Sequence, residues 1–368
     1  MANLRTASRQ LFSRPADETF SGWHSVLDHL RERDRRTAER PHTSLTASND
    51  DENVYLTGTA GSNGTGAMDR PARMTNWSFL QLCRKAAGSA DTINRLSPAT
   101  AATALNELLS GTDTSGVANV LQTHAGEDEI RALYSAKYER VSDHDVFRFF
   151  HAQAEQYGYE PAGTFAGKRG GMLPVRPEAS GLYAGDSDSF GIIANEAGKI
   201  EIDNSTLYHA VMFSNSEVGK RTLEVTDCLY NFICGNHQLW GATRVRTIRH
   251  RHVRSVRDVL DRAKCEIFEM ADAERQEHRE AIAQTYQTAI RRQFATTTER
   301  AKDRLKAYMK KKDAAGALGF LSHEAAYPRN PLSAWGVGQA ITLYSQTLPN
   351  QDLRLKLDAA AGKIIQEA

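Results

Sequence analysis

The spacing of apolar residues divides the chain into helical and extended segments. Over residues 23–30 they recur every three or four positions, which predicts a short amphipathic helix in a polar N-terminal region. Residues 41–70 are rich in Thr, Ser, Gly, Asn and Asp, and one short strand pattern at 54–57 interrupts them. We therefore predict that residues 1–70 form an N-terminal helical and flexible segment.

The middle of the chain combines helical and strand patterns. The segment 223–233 fits either a strand or a helix, and the spacing of Leu229, Phe232 and Ile233 favours a helix. The other predicted elements are two helices within 76–110, the second with Ser97 as N-cap and Pro98 as first residue, a helix at 143–157 capped by Asp143, and strands at 129–138, 189–193 and 207–213. We predict an α+β core domain over residues 71–254, with a central antiparallel sheet and packed helices.

The C-terminal part of the chain has a helical pattern. It contains no glycine between Gly241 and Gly316. Apolar residues recur at three- and four-residue steps over 255–312, which predicts a long amphipathic helix or an antiparallel pair, interrupted around 274–280. We therefore predict that residues 255–368 form a region of long C-terminal helices.

The charge along this helical region is segregated. Residues 263–290 carry three basic and six acidic side chains, whereas residues 291–312 carry nine basic and two acidic ones. An ordinary core or coiled-coil helix accounts for the apolar pattern. The alternative is an oligomerisation arm whose basic end, 291–312, extends a positive surface.

Composition excludes several classes of protein. The 368 residues are 40% hydrophobic with a net charge of +1, so the chain has enough apolar residues for a core and is not globally basic. It has no apolar run long enough for a transmembrane helix, and its N-terminus lacks the apolar region of a secretion signal. Four cysteines in a chain of this length do not indicate a disulfide framework. We expect a cytoplasmic protein without membrane association.

The densest charge lies between Arg244 and Arg262, where seven arginines and two histidines accompany two acids. On a strand, one face carries Arg244, Arg246, His250, His252 and Arg254, and the other carries Arg249 and Arg251. A ribbon with arginines on both faces suits contact with phosphates, and this makes nucleic acid the first partner to test. The alternative is that these arginines pair with acids of the helix at 266–280.

Two further features accompany the arginines. Base stacking would require an aromatic residue nearby, and Trp240 is the best candidate after Tyr230 and Phe232 are considered. Lys168 and Arg169 lie in a glycine-rich segment that fits neither the phosphate-binding loop of nucleotide hydrolases nor the dinucleotide-binding fingerprint. A flexible basic hairpin loop that contacts a nucleic-acid backbone is the better interpretation.

A metal site is a weaker hypothesis. Cys234, His237, His250 and His252 offer a thiolate and three imidazoles, a donor set suited to zinc. The two last histidines are one residue apart, whereas structural zinc sites space this pair three to five apart. A buried thiol beside histidines of the basic patch accounts for the same residues, and Cys234 as a nucleophile activated by His237 or His250 is weaker still.

The segment Asn215-Ser-Glu-Val-Gly219 is the most compact polar motif. Asn215 and Ser216 favour turns and Gly219 permits positive φ, so a tight turn is the default interpretation. The alternative makes Glu217 a functional carboxylate, as a metal ligand or as the partner of Arg221. In that alternative, Glu217 would bind Mg²⁺ together with three acids that precede it in the chain, namely Asp186, Asp188 and Glu196.

The order of these motifs resembles a known family. The more specific elements are Asn215-Ser-Glu-Val-Gly219 and Cys234-Gly-Asn236. The weaker elements are the segments 9–18, 75–83, 93–96, 104–106, 131–138, 143–145, 249–250 and 340–342, together with Trp335. The chain resembles the phage- and plasmid-like proteins grouped as domain-of-unknown-function family nine-three-two, over nearly its whole length. His237 stands where family members carry glycine. The resemblance implies a mobile genetic element and supplies no reaction.

We therefore expect a nucleic-acid-binding protein of a phage or plasmid. It would bind single-stranded DNA non-specifically in replication or recombination, as a homo-oligomer and without a cofactor. Arg246, Arg249 and Arg251 are the leading contact residues. One alternative is a protein-binding factor that acts on a host defence or replication protein. The other, less favoured, is a metal-dependent enzyme that uses Glu217 or the Cys and His residues.

Overall fold

The computed structural model places most of the chain in two sheets and a set of helices. It describes residues 18–59, 68–162, 181–202, 205–231, 247–250, 252, 256–269, 272–322, 330–348 and 351–367. The predicted α+β class is confirmed. The division of the chain at residues 70 and 254 stays a prediction.

The first sheet has six strands in the order β2-β6-β7-β5-β4-β3. The strands are β2 (Thr37–His42), β3 (Ser44–Asn49), β4 (Val54–Thr59), β5 (Met68–Met74), β6 (Gly116–Gln122) and β7 (Asp128–Tyr134). The β5–β7 pair is parallel and the other pairs are antiparallel.

Helices cover one face of this sheet. They are α2 (Asn76–Lys85), α3 (Ala90–Ile93) and α4 (Pro98–Leu109), which follow α1 (Trp23–Arg35) in the chain. The predicted start of α4 is confirmed, since Pro98 is its first residue and Ser97 Oγ accepts the Thr100 N–H at 3.4 Å. Leu82 and Leu105 of these helices pack on Leu56 and Ile130 of the sheet, with all four side chains buried.

The second sheet is antiparallel and has seven strands. Its order is β1-β9-β10-β11-β12-β13, and β8 pairs with β10. The strands are β1 (Thr19–Phe20), β8 (Tyr159–Pro161), β9 (Leu182–Ala184), β10 (Ser189–Ile202), β11 (Ser205–Asn215), β12 (Leu223–Asn231) and β13 (Thr247–His250). Both strands predicted at 189–193 and 207–213 are confirmed as parts of β10 and β11.

Helices α1, α5 (Asp143–Tyr157) and α6 (Val256–Ala263) lie on one face of the second sheet. Val211 and Phe213 of β11 point to these helices, while Tyr208 and Ala210 pack on the opposite face, as the period of two requires. The helix predicted at 143–157 is confirmed, but its N-cap is Ser142, and Asp143 lies in the first turn. A π-helical turn, Lys264–Phe268, follows α6.

The C-terminal helices form a third core. They are α7 (Asp272–Arg291), α8 (Thr298–Leu305), α9 (Lys311–Leu318), α10 (Ala334–Gln346) and α11 (Gln351–Gln366). Tyr286, Trp335 and Ile365 are among the buried residues of this cluster. Within the described helices none is long and apolar enough to span a bilayer.

Three sequence predictions were wrong. Residues 41–70 are not a loop over their described part, because Leu45, Ala47 and Leu56 alternate with polar residues in β3 and β4 and are buried on the first sheet. The preferred helix at 223–233 is strand β12 over its described residues, since Leu223 and Val225 point inward at a period of two.

The interruption predicted around 274–280 was also wrong. Helix α7 runs through it, and its polar residues Glu277 and Glu280 are exposed to solvent. The helical region is instead broken at the π-helical turn 264–268 and between α7 and α8.

Candidate nucleic-acid interface

The turn at 215–219 connects the two sheets. Gly219 adopts a φ of +76°, and its N–H donates to Ser216 O at 3.3 Å, so the predicted tight turn is present. Trp77 Nε1 of α2 donates to Val218 O at 2.7 Å, and Tyr138 Oη donates to Ser216 O at 2.9 Å. The turn that ends β11 of the second sheet is therefore bonded to residues that follow or cover the first sheet.

Glu217 lies at the centre of this contact and is buried. Its Oε2 accepts from Arg131 Nη1 at 2.8 Å and lies 3.4 Å from Arg140 Nη2. Its Oε1 accepts the Asp143 N–H at 2.7 Å and lies 3.9 Å from Arg33 Nη2. Three guanidinium groups and one backbone amide thus surround a single carboxylate.

Asp143 and Asp34 complete the charge balance. Arg33 Nη2 donates to Asp143 Oδ2 at 2.6 Å, and Asn215 Nδ2 donates to Asp143 Oδ1 at 2.7 Å. Arg140 pairs with Asp34. Three arginines therefore face three acids, and we call Arg33, Asp34, Arg131, Arg140, Asp143, Asn215 and Glu217 the Glu217 network.

The ionisation of the two buried acids differs. Burial raises the pKa of the Glu217 carboxyl, but the attraction of Arg33, Arg131 and Arg140 outweighs burial and holds this pKa below its usual range. Burial and the neighbouring Glu217 raise the pKa of Asp143 to about 6, against the opposing effect of Arg33. Glu217 is therefore the fixed negative charge of the network.

These contacts revise the functional hypothesis for Glu217. Both carboxylate oxygens are engaged by arginines or the Asp143 amide, which leaves a cation no favourable place beside them. The suggested pairing with Arg221 is wrong, because Arg221 Nε lies 2.7 Å from Asp188 Oδ2 instead. No group of three or more His, Cys, Asp or Glu side chains within the described ranges is arranged to hold a metal.

Ser216 also has a structural role. Its hydroxyl donates to Ser187 O at 2.7 Å and accepts the Lys220 N–H at 2.9 Å. These bonds fix the turn to the segment that precedes β10.

The basic run is described at a few positions. Arg249 of β13 is 68% exposed, and its guanidinium forms a two-pronged pair with Glu224 of β12, with Nε–Oε2 at 2.9 Å and Nη2–Oε1 at 3.2 Å. The hydrogen bond and the charge of Glu224 raise the pKa of Arg249. Ile248, on the opposite face of the strand, is buried.

His252 does not share an exposed face with the arginines, as the strand pattern predicted. Its ring is buried and stacks on Tyr138 with centroids 5.1 Å apart. Its carbonyl accepts the Glu139 N–H at 2.8 Å, which fixes the end of the basic run beside the segment that precedes α5.

Most other residues that the sequence singled out lie outside the described residues. The residues outside are Lys168, Arg169, Cys234, Asn236, His237, Trp240, Arg244, Arg246, Arg251 and Arg254. His250 is described, lies in β13 and pairs with Leu223 of β12. The nucleic-acid contacts of these residues and the zinc hypothesis stay predictions.

A second positive surface is described fully, over residues 291–312. Five of its exposed cations form no ion pair with a described residue, namely Arg291, Arg300, Lys310, Lys311 and Lys312. We call them the basic corner. Lys306 pairs with Asp303 at 2.6 Å, and Arg304 lies over the Phe294 ring at 4.4 Å.

Lys310, Lys311 and Lys312 occupy an unusual position. Lys310 is the N-cap of α9, and the two following lysines open its first turn. The helix macrodipole disfavours cations at this end, so their charge does not stabilise the helix. The first turn also holds the buried acid Asp313, which complements the macrodipole, while the exposed lysines beside it are accessible to an external anion.

The Glu217 network was missed in the sequence, although a signal for it existed. Arg131 and Tyr138 lie in one segment of the family resemblance, Asp143 lies in the next, and Glu217 lies in the most specific one. Glu217 is the one acid of the Asn215–Gly219 motif. Matching the arginines of the other segments to this acid would have predicted that the segments meet.

The comparisons with known proteins concern mainly the second half of the chain. No curated protein and no solved structure is detectably similar to it. The profile of the family described as Domain of unknown function (DUF932) matches residues 132–350, well over half of the 368-residue chain. The match does not reach the segments before Ala132 that also carried the resemblance. It includes the 215–219 turn, the basic run and the basic corner, and the chain belongs to the DUF932 family.

Proposed function

We propose that this protein binds nucleic acid non-specifically, single-stranded DNA in particular, and acts in the replication or recombination of a phage or plasmid. The proposal includes a cytoplasmic location and a homo-oligomeric state. The binding surface combines the basic run at 244–254 with the basic corner.

The basic corner is the observation that carries this proposal. Nine basic and two acidic residues occupy 291–312, and five of the cations are exposed without an ion pair among the described residues. Solvated cations of this kind bind phosphates with release of counterions, at little desolvation cost. The position of three lysines at the N-terminal end of α9 supports an anionic partner over a role in helix stability.

Arg249 gives partial support to each interpretation of the basic run. Its pair with Glu224 is the internal neutralisation that the alternative hypothesis predicts. The pair is exposed, however, and exposed pairs contribute about 0–1 kcal/mol. A phosphate is therefore able to compete with Glu224 for the Arg249 guanidinium.

The family motif supports a binding function over an enzymatic one. The polar groups of Asn215, Ser216 and Glu217 are engaged in bonds within the protein, and the bond of Glu217 to Arg131 joins the two sheets. In this interpretation the motif stabilises the scaffold, and the positive surfaces contact the partner.

The test is the binding of the purified protein to labelled single-stranded and duplex oligonucleotides, measured by fluorescence anisotropy across a salt series. We expect the Lys310→Ala, Lys311→Ala, Lys312→Ala triple variant to bind more weakly. Each lost phosphate contact reduces the slope of log affinity against log salt by about 0.7 for a single strand, so three contacts reduce it by about 2.

A matched control removes three cations elsewhere. Arg31→Ala, Arg35→Ala and Arg95→Ala change the net charge equally, and these exposed residues lie in or near helices of other cores. The control is expected to keep the wild-type salt slope. Equal affinity and equal slope for the wild type and the lysine variant would contradict the proposal and turn attention to a host protein as partner.

A further inference from the structure

A cleft between α5 and α6 lies beside the basic run. We propose that it accepts one unpaired nucleobase that carries an exocyclic amino group, so that the protein distinguishes single strands from duplex. The cleft has a volume of about 620 Å³, which accommodates a nucleotide. This inference rests on the proposed function and specifies its substrate class.

We call the apolar residues that line the cleft its floor and the charged residues its rim. The floor includes an aromatic ring. Val141, Ala152 and Leu260 line it together with Phe149. The Phe149 side chain is half-buried, and its ring meets the Phe150 ring edge-to-face with centroids 5.2 Å apart. Aromatic side chains of this kind stack with bases without regard to sequence.

The described rim of the cleft carries three acids and two arginines. Arg148 lies 3.1 Å from Asp145, and the Arg140 guanidinium is engaged in the Glu217 network. The exposed carboxylates of Glu139 and Asp261 form no ion pair with any residue that the structure describes. Among the residues of the rim that the structure describes, the charge left uncompensated is therefore negative.

Such carboxylates accept hydrogen bonds from base amino groups. The amino groups of cytosine, adenine and guanine are donors of this type, and Asp and Glu recognise the cytosine amino group in known complexes. Thymine has no exocyclic amino group. A base with an amino group therefore fits both the apolar floor and the acidic rim better than thymine does.

The position of the basic run connects the cleft to a nucleic-acid backbone. The Glu139 N–H at the rim donates to the His252 carbonyl, and the neighbouring Tyr138 ring stacks on His252. Arg249 lies three residues earlier and is exposed. A single strand held at Arg249 is therefore able to place a base that is free of its pairing partner in the cleft.

The experiment compares labelled dC and dT homo-oligonucleotides in the anisotropy assay at fixed salt. We expect the wild type to bind the dC oligonucleotide about fivefold more tightly. Ala152→Trp fills the cleft from an exposed position of α5 and should abolish this preference. Ala359→Trp, at an exposed position of α11, is the matched control and should keep it.

A second variant changes the chemistry of the rim without changing its shape. Glu139→Gln together with Asp261→Asn is expected to reduce the dC preference while the salt slope stays near the wild-type value. Equal wild-type affinity for dC and dT, or a preference that survives Ala152→Trp, would overturn the base-accepting cleft and leave the basic surface standing. An absence of binding to either oligonucleotide at low salt would overturn both proposals.

Discussion

Arg131 and Glu217 form an ion pair inside the protein, with Nη1 2.8 Å from Oε2 and each side chain 2% exposed. The residues are 86 positions apart, one on β7 of the first sheet and the other in the turn after β11 of the second. Burial of two charges is tolerated when their remaining bonding groups are also satisfied. Arg131 Nη2 donates to Asp186 O and Glu217 Oε1 accepts from Asp143, so the pair fixes how the sheets meet.

Removal of Glu217 should destabilise the protein strongly. In Glu217→Ala the guanidinium groups of Arg131 and Arg140 lose a buried counter-charge, which typically costs about 3–5 kcal/mol of the free energy of unfolding. Urea denaturation followed by circular dichroism measures this loss.

The control is an exposed ion pair. Glu224→Ala removes the partner of Arg249 and should cost less than about 1 kcal/mol. A loss of similar size in both variants would contradict the structural role of the Glu217 network. Arg131→Met combined with Glu217→Leu should recover part of the stability, because it also removes the most deeply buried cation that Glu217 neutralises, while Arg33 and Arg140 keep Asp143 and Asp34.

The stability of the protein should depend on pH through Glu217. Its pKa is lowered in the folded state, so its contribution is present above the ordinary value of 4.5 and is lost as pH falls below it. Glu217→Gln does not titrate. The difference in unfolding free energy between wild type and Glu217→Gln should therefore shrink as pH falls below about 4.5. A difference that stays constant would argue against a charged Glu217.

Asp143 acts in the opposite direction. Its pKa is raised from 3.8 to about 6, so the folded state holds the proton more tightly. Its contribution is present below 3.8 and is lost as pH rises through about 6. Asp143→Asn separates the two groups, since the wild type should lose stability relative to this variant as pH rises over that range.

Local sequence patterns predicted the helices and strands that bury one face and expose the other. The helix at 143–157 was found because Val146, Phe147 and Phe150 share a face. The strand β12 was misassigned because Leu229, Phe232 and Ile233 imitate a helical spacing, while the inward pattern of Leu223 and Val225 depends on the neighbouring strand. The strand pattern at 54–57 did mark β4, whereas strand β3 was missed because its Ser and Thr residues are as typical of loops as of strands.

The candidate site shows a different limit of the sequence. Arg33, Arg131 and Arg140 converge on Glu217 from three separate segments, and no local spacing indicates such a contact. The excess of basic residues over 291–312 could be predicted, because all of these residues lie in one stretch of the sequence. No contact with a distant segment is needed to recognise it. Pairing of Arg249 with Glu224 depends on the register of β12 and β13.

The Arg249–Glu224 pair makes a prediction about binding. If a phosphate competes with Glu224 for Arg249, Glu224→Gln should raise the affinity for single-stranded DNA about two- to threefold at low salt, and Arg249→Ala should lower it. Glu266→Gln, which breaks the exposed pair with Arg262 at 3.2 Å, is the control for a change of one charge. Equal effects of Glu224→Gln and Glu266→Gln would show that net charge, and not the release of Arg249, determines the affinity.

A chain of polar contacts in the second sheet should contribute to stability independently of the Glu217 network. Tyr159 Oη lies 2.6 Å from His209 Nδ1, and His209 Nε2 lies 2.6 Å from Asp227 Oδ1. Tyr159 and Asp227 are buried, so Tyr159→Phe should cost about 1 kcal/mol of unfolding free energy through the lost bond to His209. Tyr55→Phe removes an exposed bond to Asp50 and should cost less. Urea denaturation of the two variants decides the point, since equal losses would mean that the buried bond to His209 contributes no more than one exposed to water.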